Sequence, residues 1–340
     1  MISEVQPKKF LYIIPYDGIG GVETAARSLR SLGTKEIIVS LLYVSSGHKG
    51  ASNWWRLNNP LWHVFVATRA AKSRPYAVVS SLWRGYIIGL LVKVLRPQIK
   101  LITFLHLPNA VHSVDAALSA LSMRISDQIW CDSSATATSR VPEALIGRVR
   151  IISFVTHSRQ APEKRRNRPI FVFWGRLHRQ KGVLRALSLF EEICKEFPHA
   201  HYHIIGPDGG ELDKIRRYVD DRLRRNVSIH GPLEYKEISQ IAASASYYLQ
   251  LSEAEGMAMS VVEAMQMGLV PVVTPVGEIS RYCQHCRNAV LVRDGESSPL
   301  IIADLIRCDK RYFEMSEQAS LTWKDHPLYA DSFLDHCSQV

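Results

Sequence analysis

The sequence has no run of about 18 uncharged apolar residues, which excludes a membrane-spanning helix from the expectations. The stretch Met1 to Lys9 is polar and leads straight into a strand pattern, so no secretory leader is expected. Only six cysteines (131, 194, 283, 286, 308 and 337) are scattered over 340 residues, which gives no disulfide framework and suits reduced thiols in the cytosol. Cys283-Gln284-His285-Cys286 has a superficial likeness to a zinc site, but no second pair follows at metal-finger spacing, so a structural or incidental role is expected. There is no Asp-x-Asp, no internal repeat and no low-complexity segment.

A further absence is local. Between Ile37 and Val114 there is no acidic residue, while nine basic ones occur: Lys49, Arg56, Arg69, Lys72, Arg74, Arg84, Lys93, Arg96 and Lys100. Residues 1–160 hold 19 Lys and Arg against 8 Asp and Glu, and residues 161–340 hold 23 against 24, so all of the net +10 lies in the first half. Four of the seven tryptophans (Trp54, Trp55, Trp62 and Trp83) fall in the same acid-free stretch. Cations interleaved with amphipathic rings suit an anionic membrane surface. Nucleic acid would attract the same charges, and a solvated basic face with tryptophan in the core is the plain alternative. The anionic membrane surface is the expected partner, and nucleic acid is not.

What is present is a regular alternation. Apolar runs alternate with helical patterns from end to end, the signature of βα units and parallel sheets in an α/β chain. Strands are expected at 10–14, 37–42, 77–80, 101–105, 128–131 and 149–154, then at 170–174, 202–205, 227–229, 247–251, 270–273 and 290–292. Helices such as 22–32 and 86–95 are expected between the strands of the first half. The second half should hold them near 182–196, 211–224, 234–244, 259–267 and 298–308. Arg159 to Pro169 is charged and proline-bounded and reads as a linker with nothing to bury. This gives two Rossmann-like domains, 1–160 and 161–322, and a terminal segment 323–340. Two doubly wound domains imply a cleft at the carboxyl ends of their strands, where ligands bind.

Chemistry-bearing residues cluster after strands. Glu255 and Glu263 are eight residues apart, across a loop that becomes a helix ending at Gly268. Eight helical residues advance about 12 Å and turn the side chain by roughly 80°, so both carboxylates can face one groove. That separation suits a sugar nucleotide, with hexose and ribose hydroxyls at the two ends and a diphosphate at the helix N-terminus between them. Two solvated helix-face glutamates are the alternative. Arg176 and Lys181 lie five residues apart after the strand that ends at Gly175, where cations could stabilise a departing diphosphate. Asp17-Gly18-Ile19-Gly20-Gly21-Val22-Glu23 opens a helix after the first strand, and its glycines allow backbone N–H groups close to a phosphate. Gly206-Pro207-Asp208-Gly209-Gly210 is a similar turn that a strand-to-helix connection explains equally well. His106 ends a strand and precedes Leu107-Pro108.

The stretch Ser252 to Pro275 resembles the donor-site signature of the family 4 retaining glycosyltransferases. Ser252, Glu255-Gly256, Glu263-Ala264-Met265, Gly268 and Pro271-Val272-Val273 are in register, while Met257-Ala258 stands where the family has Phe-Gly. Gly175-Arg176-Leu177 and Lys181-Gly182 match a second family motif, and Gly20-Gly21-Val22-Glu23 a third. The resemblance implies the GT-B architecture, with a terminal helix crossing back to the first domain. It implies that Glu263 binds the ribose and that Glu255, with the Gly256–Met257 backbone and Ala258, meets the hexose. Gly175, Arg176, Lys181 and the Gly20–Gly21 amides would hold the diphosphate, and His106 would touch the donor sugar as a positioning or electrostatic group. The expected reaction is transfer of a sugar from a nucleoside diphosphate sugar to a glycan or lipid-linked acceptor, with retention, no cofactor and no metal. The expected place is the cytoplasm, peripheral on the inner face of the cell membrane. An epimerase or phosphorylase on the same layout, and a non-enzymatic basic surface protein, are the competing readings. The base, the sugar, the acceptor, its linkage and the oligomeric state are left open.

Overall fold

The computed structural model describes residues 6–18, 21–30, 32–45, 51–162, 166–293 and 298–340, without the side chains of 51–54. The chain forms two units, Met1–His157 with Pro327–Val340, and Ser158–His326.

The first unit is built on strands β1 (Lys8–Tyr16), β2 (Ile37–Ser45), β3 (Ala77–Ser81), β4 (Lys100–Leu105), β5 (Gln128–Cys131) and β6 (Val149–Ile151). They form one parallel sheet in the order β2-β1-β3-β4-β5-β6. Phe10 to Ile14 is an unbroken apolar run because β1 lies inside the sheet with both faces covered, and all five residues are buried. The helices are α1 (Gly21–Ser28), α2 (Ala51–Asn58), α3 (Pro60–Lys72), α4 (Leu82–Leu95), α5 (Ser113–Ile125) and α6 (Ser134–Arg140). Four of them, α2, α3, α5 and α6, lie in stretches for which the sequence pattern names no helix. α3 is nevertheless well started: Pro60 is its first residue and the Asn59 side chain accepts from Leu61 N at 2.9 Å.

The second unit has strands β7 (Ile170–Trp174), β8 (His201–Ile205), β9 (Val227–Gly231), β10 (Tyr247–Gln250), β11 (Val270–Val273) and β12 (Val290–Leu291). Its sheet, again parallel, has the order β12-β11-β10-β7-β8-β9. Its helices are α7 (Val183–Glu196), α8 (Leu212–Arg222), α9 (Tyr235–Ser244), α10 (Met259–Gln266), α11 (Ile279–Tyr282), α12 (Ser298–Arg307) and α13 (Asp309–Leu321). Trp323 Nε1 donates to Met265 Sδ at 3.4 Å, which keeps the stretch after α13 with this unit. The strand order reverses between β7 and β10, the switch point where ligands of such sheets bind.

The last helix, α14 (Tyr329–Ser338), belongs to the first unit. Phe333 packs on Tyr12 and edge-on against Trp130, with ring centroids 5.6 and 5.0 Å apart. Tyr329 N donates to Val155 O at 2.7 Å, and Tyr76 Oη to the Val340 carbonyl at 2.6 Å. The expected GT-B class, two Rossmann-like sheets with the terminal helix on the first, is the observed one.

Candidate active site

The site of the second unit is assembled by two close backbone approaches. After β7 the chain passes Gly175 and a short 3-10 turn, Arg179–Lys181, and reaches Gly182 at φ 64°. A Cβ on Gly182 would stand 1.7 Å from Leu251 O, so the loop after β7 lies directly on the end of β10 and only glycine fits. Gly277, at φ 56°, is pressed in the same way against Glu255 O, which a Cβ would meet at 1.9 Å. The loop carrying Glu255 and Gly256 is thus held from both sides.

These approaches bring Lys181 to Glu255. Lys181 Nζ donates to Oε1 at 2.7 Å and to Oε2 at 3.0 Å. Glu255 is 5% exposed. Its Oε1 also accepts from Ser252 Oγ at 2.7 Å and from Gln250 Nε2 at 2.9 Å, so the buried carboxylate is both paired and hydrogen-bonded. Gln250 Oε1 accepts in turn from Tyr248 Oη at 2.7 Å and from Ser260 Oγ, the second residue of α10, at 3.1 Å.

Glu263, on the next turn of α10, has different partners. Trp174 Nε1 donates to Oε2 at 3.0 Å, and an Arg159 guanidinium nitrogen lies 3.6 Å from Oε1. Tyr248 Oη is also 3.2 Å from the Trp174 carbonyl. Gln250 and Tyr248 thus extend the polar network from Glu255 across β10 towards Trp174, whose indole meets Glu263. Arg159 is 13% exposed at its side chain and its guanidinium lies 3.5 Å from the Tyr235 ring centroid. This corrects the expectation that Arg159 to Pro169 has nothing to bury, because Arg159 reaches a carboxylate and a ring the linear pattern does not reveal. Asn167 does the same on a smaller scale, with Nδ2 donating to Leu305 O at 2.9 Å.

Ala258 sits at φ 56° and ψ 61° and caps α10. An L-residue adopts this left-handed conformation at a cost, and here it lets the chain turn from Met257 into the helix. Tyr282 Oη donates to Met257 O at 3.0 Å and Glu278 N to Gly256 O at 3.1 Å, which fixes the turn from outside. Gly268, at φ 72°, ends the helix as expected.

The Arg176 side chain is exposed and, among the described residues, has no hydrogen bond or ion pair. Its stem is covered by Gly209, where a Cβ would stand 2.8 Å from Arg176 Cγ. Asp208 Oδ1 accepts from Gly210 N at 2.7 Å and Leu212 N at 3.2 Å, so the Gly206–Gly210 turn has a structural task at the start of α8.

In the first unit, Gly21 is the first residue of α1, and Gly20 lies outside the described residues. Asp17 accepts from Arg27 and Arg30, both at 2.7 Å, and Arg27 also donates to Gly18 O at 2.8 Å, which pins the approach to this helix. His106 is buried at the end of β4. Its Nε2 lies 2.8 Å from Ser81 Oγ, which in turn is 2.9 Å from Tyr12 Oη. Nδ1 is buried without a partner, and burial pushes the imidazole down to about 3. A neutral ring of this kind can position a hydroxyl through Nδ1 and is a poor proton acceptor in mechanism. The structure does not bring Cys283, His285 and Cys286 together as ligands: Cys283 is buried, Cys286 is exposed and His285 Nδ1 accepts from Leu291 N.

Trp174, Arg159, Tyr235, Tyr248 and Gln250 are the site residues that sequence reasoning missed. Only Trp174 and Gln250 carried a signal, each a hydrogen-bonding side chain at the end of an otherwise apolar strand.

This is the two-Rossmann fold of GT-B transferases. HepE of Anabaena, crystallised with UDP and glucose, superposes with a TM-score of 0.77 over 98% of this chain and 100% of its own at 14% identity. Sucrose-phosphate synthase of Thermosynechococcus elongatus gives 0.77 over 98% of both chains, also at 14% identity. Residues 155–321, nearly the whole second unit, match the family model Glycosyl transferases group 1. Among curated proteins, a subunit of phosphatidylinositol N-acetylglucosaminyltransferase from Homo sapiens is 31% identical over 122 residues, 35% of this chain and 24% of that protein. GDP-mannose:cellobiosyl-diphosphopolyprenol alpha-mannosyltransferase of Xanthomonas oryzae pv. oryzae is 24% identical over 123 residues, 36% and 32% of the two chains. The matched stretch thus spans 24% of the one relative and 32% of the other.

Proposed function

We propose that the protein is a retaining glycosyltransferase that moves a sugar from a nucleoside diphosphate sugar to a lipid-linked or glycan acceptor. The observation that carries this reading is the tethered carboxylate pair, Glu255 held by Lys181 and Glu263 held by Trp174 and Arg159, at the strand-order reversal of the second unit. Glu263 accepts from the ribose hydroxyls, and Glu255 with the Gly256–Met257 backbone and Ala258 contacts the hexose. Arg176, with its exposed side chain, and Lys181 stabilise the negative charge that develops on the diphosphate as the C1–O bond breaks. Gly175 lets the backbone approach this group. The acceptor oxygen forms the new bond to C1 from the face the diphosphate leaves, and its proton passes to the departing phosphate oxygen. With two cations assigned to the leaving group, the step calls for no metal or cofactor. In the first unit, the amides of Gly20 and Gly21 are assigned to the diphosphate and His106 Nδ1 to a sugar hydroxyl.

The names of the two curated relatives support a lipid-linked acceptor, since one carries phosphatidylinositol and the other a diphosphopolyprenol. Together with the basic first half, this supports work at the cytoplasmic face of an anionic membrane, in surface polysaccharide or glycolipid assembly. The test is to incubate the protein with UDP-, GDP- and ADP-sugars and an extract of polyprenyl and glycerolipid acceptors. Nucleoside diphosphate release that depends on the extract, with a product of unchanged anomeric configuration by NMR, is expected. Sugar nucleotide consumption without a new glycoside would point instead to an epimerase or a hydrolase.

A further inference from the structure

Helix α3 is apolar on the side that faces its own unit and, over its first half, on the side that faces water. His63, Val66, Ala67, Ala70 and Ala71 are buried. On the opposite stripe, at the helical spacing i, i+3 and i+4, Leu61 is 78% exposed, Val64 50% and Phe65 55%. Arg69 and Lys72 continue the same stripe and are exposed. A surface helix ordinarily puts polar side chains there. Trp55 of α2 adds a side chain that is 63% exposed. The patch is rigid where it meets the fold: Trp62 Nε1 donates to Val44 O at 2.7 Å, its ring packs on Phe65 at 5.2 Å, and Arg56 lies over it at 4.8 Å.

We propose that this face of α3, with Trp55, is the part of the first unit that enters the headgroup region of an anionic lipid bilayer. The proposal deepens the lipid-linked acceptor reading above and rests on it. The choice of occupant follows from charge and shape. The patch lies in the acid-free stretch between Ile37 and Val114, so cations flank it and nothing in the local sequence repels an anionic headgroup. A second copy of the chain would set the same basic stretch against itself. Leucine, valine and phenylalanine between cations offer nucleic acid little to stack on, whereas they match the depth profile of an interfacial helix. The place also fits. α3 leads into β3 and runs against the strand direction, so Leu61 lies towards the carboxyl edge of the sheet, the edge at which His106 ends β4.

The experiment is flotation of the full chain with phosphatidylglycerol–phosphatidylcholine vesicles and with phosphatidylcholine alone, alongside calorimetric titration of a sugar nucleotide in the same samples. Partitioning onto the anionic vesicles should exceed that onto the neutral ones at least tenfold. Arg69→Gln/Lys72→Gln should lower it roughly 25-fold, at about fivefold per cation. Leu61→Ser/Phe65→Ser, on an open face, should lower it at least tenfold, and Leu61→Trp should raise it. Equal partitioning of both double variants with the wild type would overturn the proposal, as would weaker binding by Leu61→Trp. A dimer that Leu61→Ser/Phe65→Ser dissociates would also overturn it, assigning the face to self-association. Sugar nucleotide binding without vesicle binding would sink the surface and leave the transferase reading standing. Vesicle binding without any sugar nucleotide binding would do the reverse.

Discussion

Lys181 Nζ lies 2.7 and 3.0 Å from the two oxygens of Glu255, a carboxylate almost wholly withdrawn from water. Removing the cation leaves the carboxylate buried with only neutral donors. Lys181→Met should therefore destabilise the second unit by about 3 kcal/mol, and Glu255→Gln by less, because the amide oxygen still accepts from Ser252 and Gln250. The double variant should recover part of the loss in thermal unfolding; strict additivity would show that the two side chains do not depend on each other. In turnover, Lys181→Met should lose roughly 100- to 1,000-fold in kcat, the scale of one lost charge-stabilising group.

Both positions that flank Glu255 in space should be more stable without a methyl group. Gly182→Ala would drive a Cβ into Leu251 O and displace Lys181, so both stability and activity should fall. Ala258→Gly relieves a left-handed alanine and should raise stability by about 1 kcal/mol. A melting temperature lowered by Ala258→Gly would show that the methyl group packs more than the backbone strains.

Arg159 tests the part of the site that its linear surroundings conceal. Arg159→Ala removes the cation near Glu263 and the stack on Tyr235, and should weaken sugar nucleotide binding about tenfold. Arg159→Lys should retain only part of it, since a point charge cannot stack as a planar guanidinium does. Unchanged binding in both variants would make the contact purely structural.

His106 supplies a pH dependence of definite sign. Its ordinary value is 6.5 and burial lowers it to about 3 in the folded protein. Between these values the unfolded chain takes up a proton that the folded chain does not. Stability should thus fall on acidification below pH 6.5, by up to about 1.4 kcal/mol per pH unit from this group, and be insensitive to it above. Denaturation of His106→Phe at pH 7, 6 and 5 should show a shallower decline than the wild type. Parallel curves would place the imidazole in a more hydrated setting.

Strands buried on both faces were legible in the sequence because apolar runs bounded by turns leave little freedom. β5, β7 and β11 fall where the pattern places them, residue for residue. α2 and α3 were not, because an exposed Leu61, Val64 and Phe65 opposite a buried stripe erase the helical period. The placement of Glu255 beside Lys181 was half legible. Both residues belong to recognisable motifs, but their contact depends on Gly182 lying against Leu251, a non-local approach. Arg159 left no trace, since a cation in a charged, proline-bounded segment looks the same whether it meets water or Glu263.

The most direct test of the donor site is calorimetric titration of UDP-, GDP- and ADP-sugars into the wild type and Glu263→Gln. One nucleotide class should bind the wild type and bind the variant at least tenfold more weakly, since the carboxylate is assigned to the ribose hydroxyls. Binding that is the same in both proteins, or absent across the panel, would contradict the assignment.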